Sequence, residues 1–152
     1  MTEPYRLIPL TGQWVGEVER LERLCFSDPW SRGGITGDIL SPCSFWYGAV
    51  EEKTGRLAAF LGSHVIGDEG EIVNLATDPA HRRRGLAEAL IRALRQEHPS
   101  LRRVFLEVRA SNEPAQVLYR KMGFSRYAVR RNYYENPGED AVLMRWERAD
   151  AE

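Results

Sequence analysis

A run of three arginines and a glycine, Arg82 to Gly85, sits between an apolar segment, Glu71-Ile-Val-Asn-Leu-Ala-Thr77, and an amphipathic one that begins at Leu86. A helix opened by such a turn points unpaired N–H groups outward with partial positive charge, which suits a phosphate or pyrophosphate. Gly85 lets the backbone come close to a ligand, and Arg83 and Arg84 can add charge-assisted contacts. The segment carries neither Gly-x-x-x-x-Gly-Lys-Ser/Thr nor Gly-x-Gly-x-x-Gly, so it is not a nucleotide loop of those kinds. A solvated basic turn is the plain alternative.

A second constellation lies downstream. Glu107 interrupts the apolar run Val104 to Val108. On a strand it shares a face with Phe105, while Leu106 and Val108 take the other. A carboxylate there is expected to be partly buried, with a raised pKa that improves it as a general base. The competing reading is a salt bridge to Arg109 or another arginine. Tyr119 follows Asn112 on a helical segment, where a phenol can hand a proton to a leaving group or simply pack beside Leu118 and Met122. Asn112 can cap that helix and also hydrogen-bond a ligand.

Other chemistries find little support. His64, His81 and His98 are scattered, without metal-ligand spacing, so no metal is expected. No Gly-x-Ser-x-Gly or comparable nucleophile pattern occurs. With 21 Lys and Arg against 22 Asp and Glu the net charge is −1. That balance disfavours nucleic acid or an anionic membrane as the main partner, although Arg130 and Arg131 could join Arg82 to Arg84 in a basic patch. Cys25 and Cys43 fit free thiols in a reducing compartment. No secretory leader or apolar span stands out, so a cytoplasmic protein is expected.

The 152 residues, 43% hydrophobic and 28% charged, suit one soluble domain over 1–152, with 146–152 as a frayed polar tail. Tyr5 to Pro9 reads as a first strand. Thr11 can cap a helix with Trp14, Val18, Leu21 and Cys25 on one apolar face. A second helix from Ser31 to Leu40 is weakened by Gly33, Gly34 and Gly37. Phe45 to Val50 and Arg56 to Val65 read as a hairpin, Glu71 to Thr77 as a strand closed by Asp78-Pro79. Leu86, Leu90 and Leu94 stripe the next helix. Val104 to Val108 is a strand, and Ser111 or Asn112 starts a helix that ends at Gly123. Tyr127 to Tyr134 and Ala141 to Trp146 close the chain as two strands around Asn136-Pro137-Gly138. This order gives an α/β (α+β) layered domain with a mixed sheet covered by helices.

Arg82-x-x-Gly85-x-Ala87 resembles the Gln/Arg-x-x-Gly-x-Gly/Ala signature of the GCN5-related N-acetyltransferases. The ordered set Phe26-Ser-Asp-Pro-Trp-Ser31, Leu106-Glu-Val-Arg-Ala-Ser-Asn112, Leu118-Tyr119, Gly123-Phe124, Arg130-Arg-Asn-Tyr-Tyr134 and Glu139-Asp-Ala141 resembles the bacterial RimI-type ribosomal-protein-alanine N-acetyltransferases over nearly the whole chain. The resemblance implies a mostly antiparallel mixed sheet flanked by helices on both faces. It implies acetyl-coenzyme A as cosubstrate, held by Leu75, Ala76 and Thr77, by Arg83, Arg84, Gly85, Leu86, Ala87 and Glu88, and by Asn112. It makes Glu107 the base and Tyr119 the acid. By position, Phe26, Pro29, Trp30, Tyr133 and Tyr134 would receive the acceptor, with Glu139 and Asp140 available to a basic tail.

An α-amine has a pKa of about 7.7–8.0, so a carboxylate suffices to deprotonate it, whereas lysine at about 10.4 costs roughly 3 kcal/mol more. This favours an α-amine without excluding lysine, and the resemblance implies acetyl transfer to a protein N-terminal alanine, on a ribosomal protein, by direct attack in a ternary complex. The enzyme is expected to be a monomer or weak dimer. Rival readings are acetylation of lysine or a small amine, a coenzyme-A-binding module without turnover, and an RNA-binding adaptor.

Overall fold

The computed structural model describes residues 4–135 and 137–149. In chain order the elements are β1 (Tyr5–Pro9), α1 (Val15–Cys25), α2 (Arg32–Ile39), β2 (Ser44–Glu51), β3 (Leu57–Ile66), β4 (Glu69–Thr77), α3 (Leu86–Glu97), β5 (Arg103–Arg109), α4 (Glu113–Lys121), β6 (Ser125–Tyr134) and β7 (Glu139–Glu147). The element order expected from periodicity is the one observed. Asn136, expected in the last turn, lies outside the described residues.

The seven strands form one sheet in the order β1-β2-β3-β4-β5-β7-β6. Every pairing is antiparallel except β4 with β5. Helices cover both faces. On one, Val15, Val18 and Leu21 of α1 and Ile35 of α2 pack on Trp46, Val50, Leu57 and Phe60. On the other, Leu86, Leu90, Ile91 and Leu94 of α3 pack with Tyr119 on Tyr47, Leu61, Leu106 and Met144. Burying an aliphatic side chain of this kind is worth roughly 1.5–3 kcal/mol, so these stripes hold the helices to the sheet.

Local chemistry sets the helix ends. Thr11 opens a 3₁₀ turn over Gly12–Trp14 rather than α1 itself, and its side chain makes no capping bond. Helix α2 survives its three glycines because Ser31 Oγ accepts from Gly34 N at 3.0 Å and Asp38 Oδ2 accepts from Trp46 Nε1 at 2.7 Å. Asn112 Oδ1 caps α4 by accepting from Ala115 N at 3.2 Å. The expected tail begins later than 146: Trp146 and Glu147 complete β7. Arg148 is not frayed, because its backbone N–H donates to Arg102 O at 2.8 Å and its Nε to Leu101 O at 2.7 Å.

One irregularity positions the site. Gly62 of β3 faces Asn74 of β4, while the next residue, Ser63, faces Ile72, so Val73 is an extra residue. Such a bulge bends and twists its strand. Gly62 is required there: a Cβ would come within 2.6 Å of the Trp46 ring. On its other side β4 pairs with β5 only at Glu69, Gly70 and Glu71. From Ile72 onward the two parallel strands part.

Glu17 ties α1 to β3. Its carboxylate accepts from Arg20, from Arg56 and from Leu57 N at 3.0 Å. Burial opposes the charge, but the bonds from Arg56, Arg20 and Leu57 outweigh it and bring the pKa down to about 2. This stabilisation is present above the unfolded carboxylate pKa and is lost as pH falls toward 2. Glu17→Gln is expected to cost about 1–3 kcal/mol at pH 7. Denaturant titration should show that cost shrinking steadily between pH 4.5 and 2.

Candidate active site

Where β4 and β5 part, a cavity of about 550 Å³ opens. Its walls come from four places. Strand β4 gives Ile72 to Leu75, and β5 gives Leu106 to Arg109. The α1–α2 connection gives Phe26, Pro29 and Trp30, and the far wall is Asn112, Tyr119 and Tyr134. Residues separated by almost the whole chain thus line one space.

Glu107 is half-buried and faces this cavity, as period-two alternation on β5 requires. It forms an ion pair, but with Arg130 of β6 at 3.3 Å rather than with Arg109. Arg109 is spent elsewhere. Its guanidinium donates to Pro137 O at 2.8 Å and to Glu139 Oε1 at 3.1 Å, and it lies 4.4 Å over the Tyr134 ring.

Tyr119 is buried and also lines the cavity. It packs at 5.8 Å against Phe124, so the packing role and a place in the site coexist. Burial, then the nearby Tyr134, push its pKa well above that of an ordinary phenol, so it keeps its proton at any working pH. Tyr134 is pushed up to about 12, by burial and then by Glu107.

A second bulge, in β6, brings the tyrosine pair to Glu107. Arg130 faces Ala141 but Tyr134 faces Glu139, and Asn132 between them has φ +53°. Asparagine tolerates that conformation better than most residues. Tyr134 reaches the cavity. Tyr133 is not among its lining residues; its hydroxyl hydrogen-bonds Glu107, which raises the tyrosine's pKa.

The basic turn follows the C-terminal end of β4. Arg83 and Gly85 both adopt left-handed backbone, at φ +65° and +75°. Gly85 is the N-cap of α3 and, having no side chain, offers no capping bond to the first N–H groups of that helix. Ala87 is half-buried; Leu86 points into the core, which leaves only its backbone to a ligand. Glu88 Oε2 pairs with Lys121 at 2.8 Å, linking α3 to α4, while its other oxygen lies beside the Gly85 turn. Arg84 donates to Tyr5 Oη at 3.2 Å, and that hydroxyl shares a hydrogen bond with His81 Nδ1 at 2.6 Å. On β4 itself, Leu75 lines the cavity, Ala76 is buried, and Thr77 O accepts from Cys25 Sγ at 3.3 Å.

Glu139 and Asp140, expected to await a basic peptide, are both engaged in hydrogen bonds within the chain, Glu139 outside the hairpin and Asp140 inside it. Glu139 accepts from Ser111 N, Ser111 Oγ and Arg109, with its pKa lowered chiefly by the Ser111 bonds. Asp140 accepts from Asn132 N at 2.9 Å.

Among the cavity residues that escape the sequence reading as site residues are Glu22, Cys25, Asn74 and Arg109. Cys25, outside every motif segment, nonetheless lines the cavity. Burial raises its pKa, so it remains a thiol, a poor nucleophile. Glu22 is the most unusual. It is 1% exposed, on the apolar face of α1, where it accepts from Trp30 N at 2.9 Å and from Asn74 Nδ2. Burial raises its pKa to about 7 against the lowering by Trp30 N–H. An acid one helical turn after Val18, within an apolar stripe, was the available signal. Among the described residues no three His, Cys, Asp or Glu side chains are placed to hold a metal ion, and no helix is long and apolar enough to cross a membrane.

A sheet split between two parallel strands, with a carboxylate and a protonated phenol across the split and a bare helix N-terminus at its end, is the scaffold of an acyl-group transferase. The Acetyltransferase (GNAT) family profile matches residues 15–124, and the chain belongs to that family. An N-alpha-acetyltransferase RimI of Mycobacterium tuberculosis is 34% identical over 155 residues, covering 98% of this chain and 96% of its own length. The ribosomal protein bS18-alanine N-acetyltransferase of Escherichia coli is 41% identical over 96 residues, 60% of this chain and 65% of the relative. A crystal structure of the Escherichia coli ribosomal-protein-S18-alanine N-acetyltransferase superposes with a TM-score of 0.88 at 30% identity, covering 97% of this chain and 96% of that one.

The buried Glu22 leaves a thermodynamic mark. A carboxylate raised from 4.5 to about 7 binds its proton more tightly in the folded state. Its contribution to stability is full below pH 4.5 and is lost as pH rises through 7, a difference of about 3 kcal/mol. Glu22→Gln carries no such titration. In thermal melts from pH 5 to pH 8 the variant should gain on the wild type as pH rises; a constant gap would refute the burial of a charged carboxylate.

Proposed function

We propose that this protein transfers an acetyl group from acetyl-coenzyme A to the N-terminal α-amine of a protein, the acceptor being the N-terminal alanine of a small-subunit ribosomal protein. One observation carries the reading: Glu107 and Tyr119, from β5 and α4, line the same cavity at the parting of β4 and β5. The names of the relatives point to the same acceptor class, and a ribosomal acceptor places the reaction in the cytoplasm.

The residues at the basic turn fit the coenzyme. Two left-handed residues in three, Arg83 and Gly85, shape a turn whose N–H groups suit a phosphate, and the glycine N-cap leaves the helix start without a capping side chain of its own. Beyond Glu71 the β5-facing edge of β4 has no strand partner, so the backbone of Leu75 to Thr77 can pair with an extended amide-bearing arm. Asn112 serves as helix cap and cavity wall together. Bound acetyl-coenzyme A supplies an activated thioester carbonyl.

The protein's own groups then divide the proton transfers. Glu107 takes a proton from the acceptor's ammonium, directly or through water. Arg130, exposed and paired with it, can release the carboxylate when the acceptor enters. Tyr119, held protonated by burial, gives its proton to the departing sulfur. Backbone N–H groups near the end of β4 face the developing negative charge on oxygen. The Leu75 N–H is the least suited of these, because it already donates to Asn74 Oδ1 at 3.1 Å. Cys25, a protonated thiol, does not form an acyl-enzyme in this scheme, and attack is direct. Phe26, Pro29, Trp30 and Tyr134 wall the acceptor pocket, with Tyr133 braced on Glu107 behind them. A pocket lined by rings and proline admits a small side chain and excludes water.

Two peptides test the acceptor. One has a free N-terminal alanine and a basic tail; the other is N-terminally blocked with an internal lysine. Mass spectrometry after incubation with acetyl-coenzyme A should show acetylation confined to the free alanine. Modification of the lysine peptide alone would move the protein to another branch of the family. Binding of coenzyme with no product from either would favour a different small amine or a non-catalytic module.

Glu107→Gln should lower kcat/KM about 10²–10⁴-fold near pH 7. The defect should narrow toward pH 9, where the amine deprotonates unaided. Wild-type rates for this variant across pH 6–9 would remove Glu107 as base. Tyr119→Phe should lower kcat with little change in coenzyme affinity measured by calorimetry.

A further inference from the structure

We propose that Glu22 and Asn74 form a proton-sensitive latch that positions the Phe26–Trp30 wall of the acceptor pocket against β4 and so sets acceptor affinity. The inference rests on the reading of that wall as part of the acceptor site. Neither residue is assigned a role by the site chemistry above.

The latch is a directed chain of hydrogen bonds. Trp30 N donates to Glu22 Oε1 at 2.9 Å, and Asn74 Nδ2 donates to Glu22 Oε2. Asn74 Oδ1 in turn accepts from Leu75 N at 3.1 Å. The chain crosses from the α1–α2 connection, through α1, to the strand where the bulge inserts Val73. It therefore couples two walls of the cavity that no backbone pairing joins.

The donor inventory makes the chain depend on a proton. An ionised carboxylate only accepts, so it satisfies both Trp30 N–H and the Asn74 amide. Protonated, it must donate from one oxygen, yet both of its neighbours are donors. Turning the Asn74 amide over would offer Glu22 an acceptor but would set its NH₂ against Leu75 N–H. One link is lost either way. Burial brings this titration to about pH 7, where a buried carboxylate can still ionise. The titratable groups around Glu22 are few. Cys25 follows it on α1, Asp28 lies in the connection, and Glu107, Arg109, Tyr119 and Tyr134 face it across the cavity. Trp30 is also placed to transmit the change, since its ring meets Trp46 edge-on at 5.9 Å and packs against the core under α1 and α2.

Glu22→Gln imitates the protonated state at every pH. The introduced amide can accept from Trp30 N or face Asn74, but its NH₂ group conflicts with that of Asn74. The double variant Glu22→Gln with Asn74→Asp reverses the polarity: the glutamine accepts from Trp30 N and donates to the new carboxylate, which still accepts from Leu75 N. The test uses the full chain, acetyl-coenzyme A and the free-alanine peptide. At pH 8 the single variant should raise the acceptor KM about tenfold, with kcat and coenzyme affinity within about threefold. The gap to wild type should close by pH 6, where both are neutral, and the double variant should recover most of the pH 8 loss. An unchanged KM, a gap independent of pH, or no recovery in the double variant would overturn the proposal.

The ¹H–¹⁵N resonance of the Trp30 backbone amide gives a readout that needs no acceptor. It should titrate near pH 7 in the wild type and stay flat in Glu22→Gln. A flat wild-type amide would overturn the latch whatever the kinetics. If the peptide is not acetylated by the wild type but the amide titrates, the acceptor reading fails and the link between latch and affinity falls with it.

Discussion

Hydrogen bonding between β4 and β5 stops after Glu71 and Phe105, and the site exists because it stops. A continuous parallel pair would bury the backbone of Leu75 to Thr77 and leave no space between Ile72 and Leu106. The parting follows from packing. Val73 is inserted into β4, Gly62 opposite the neighbouring Asn74 leaves room for the Trp46 ring, and Trp46 is itself stacked on Phe60 at 5.6 Å. The same aromatic stack that fills the core under α1 and α2 thus bends the strand that a ligand must meet.

The acids of the molecule divide by their surroundings more than by their sequence. Glu17 and Glu22 lie five positions apart on one helix. Glu17 meets two guanidinium groups and a backbone N–H, and its charge is favoured; Glu22 meets no cation among the described residues and is raised toward neutrality. Glu139 serves Ser111, Asp140 serves the hairpin, and Asp38 serves Trp46 and His64. Glu107 alone faces the cavity from the strand that parts from β4, with Tyr119 beyond it. That placement is what supports assigning the proton chemistry of the proposed reaction to the pair.

The element order and the two-faced covering of the sheet were legible because the helices carry strong stripes and the strands alternate. Leu86, Leu90 and Leu94 show this plainly. The turn at Gly85 and the cap at Asn112 were legible because glycine and asparagine act there through their own backbone chemistry. Glu107 and Tyr119 were singled out by residue type within a motif, and both line the cavity. The bulges were not visible: an extra residue such as Val73 or a left-handed Asn132 changes the register without changing the pattern. That is why the contact of Tyr133 with Glu107, the commitment of Glu139 to Ser111, and the Glu22–Asn74 pair had to come from the structure. Glu22 hid in an apolar stripe where periodicity expects a hydrophobic side chain.

The central claim is that the unpaired length of β4, together with the turn at Gly85, holds the acetyl donor beside Glu107 and Tyr119. Backbone hydrogen–deuterium exchange with and without acetyl-coenzyme A tests it most directly. The account predicts slowed exchange over Leu75–Thr77 and over Arg83–Ala87, with β2 and the β1 edge unchanged. Tight binding that leaves both segments unprotected, or that protects another face of the sheet, would contradict it.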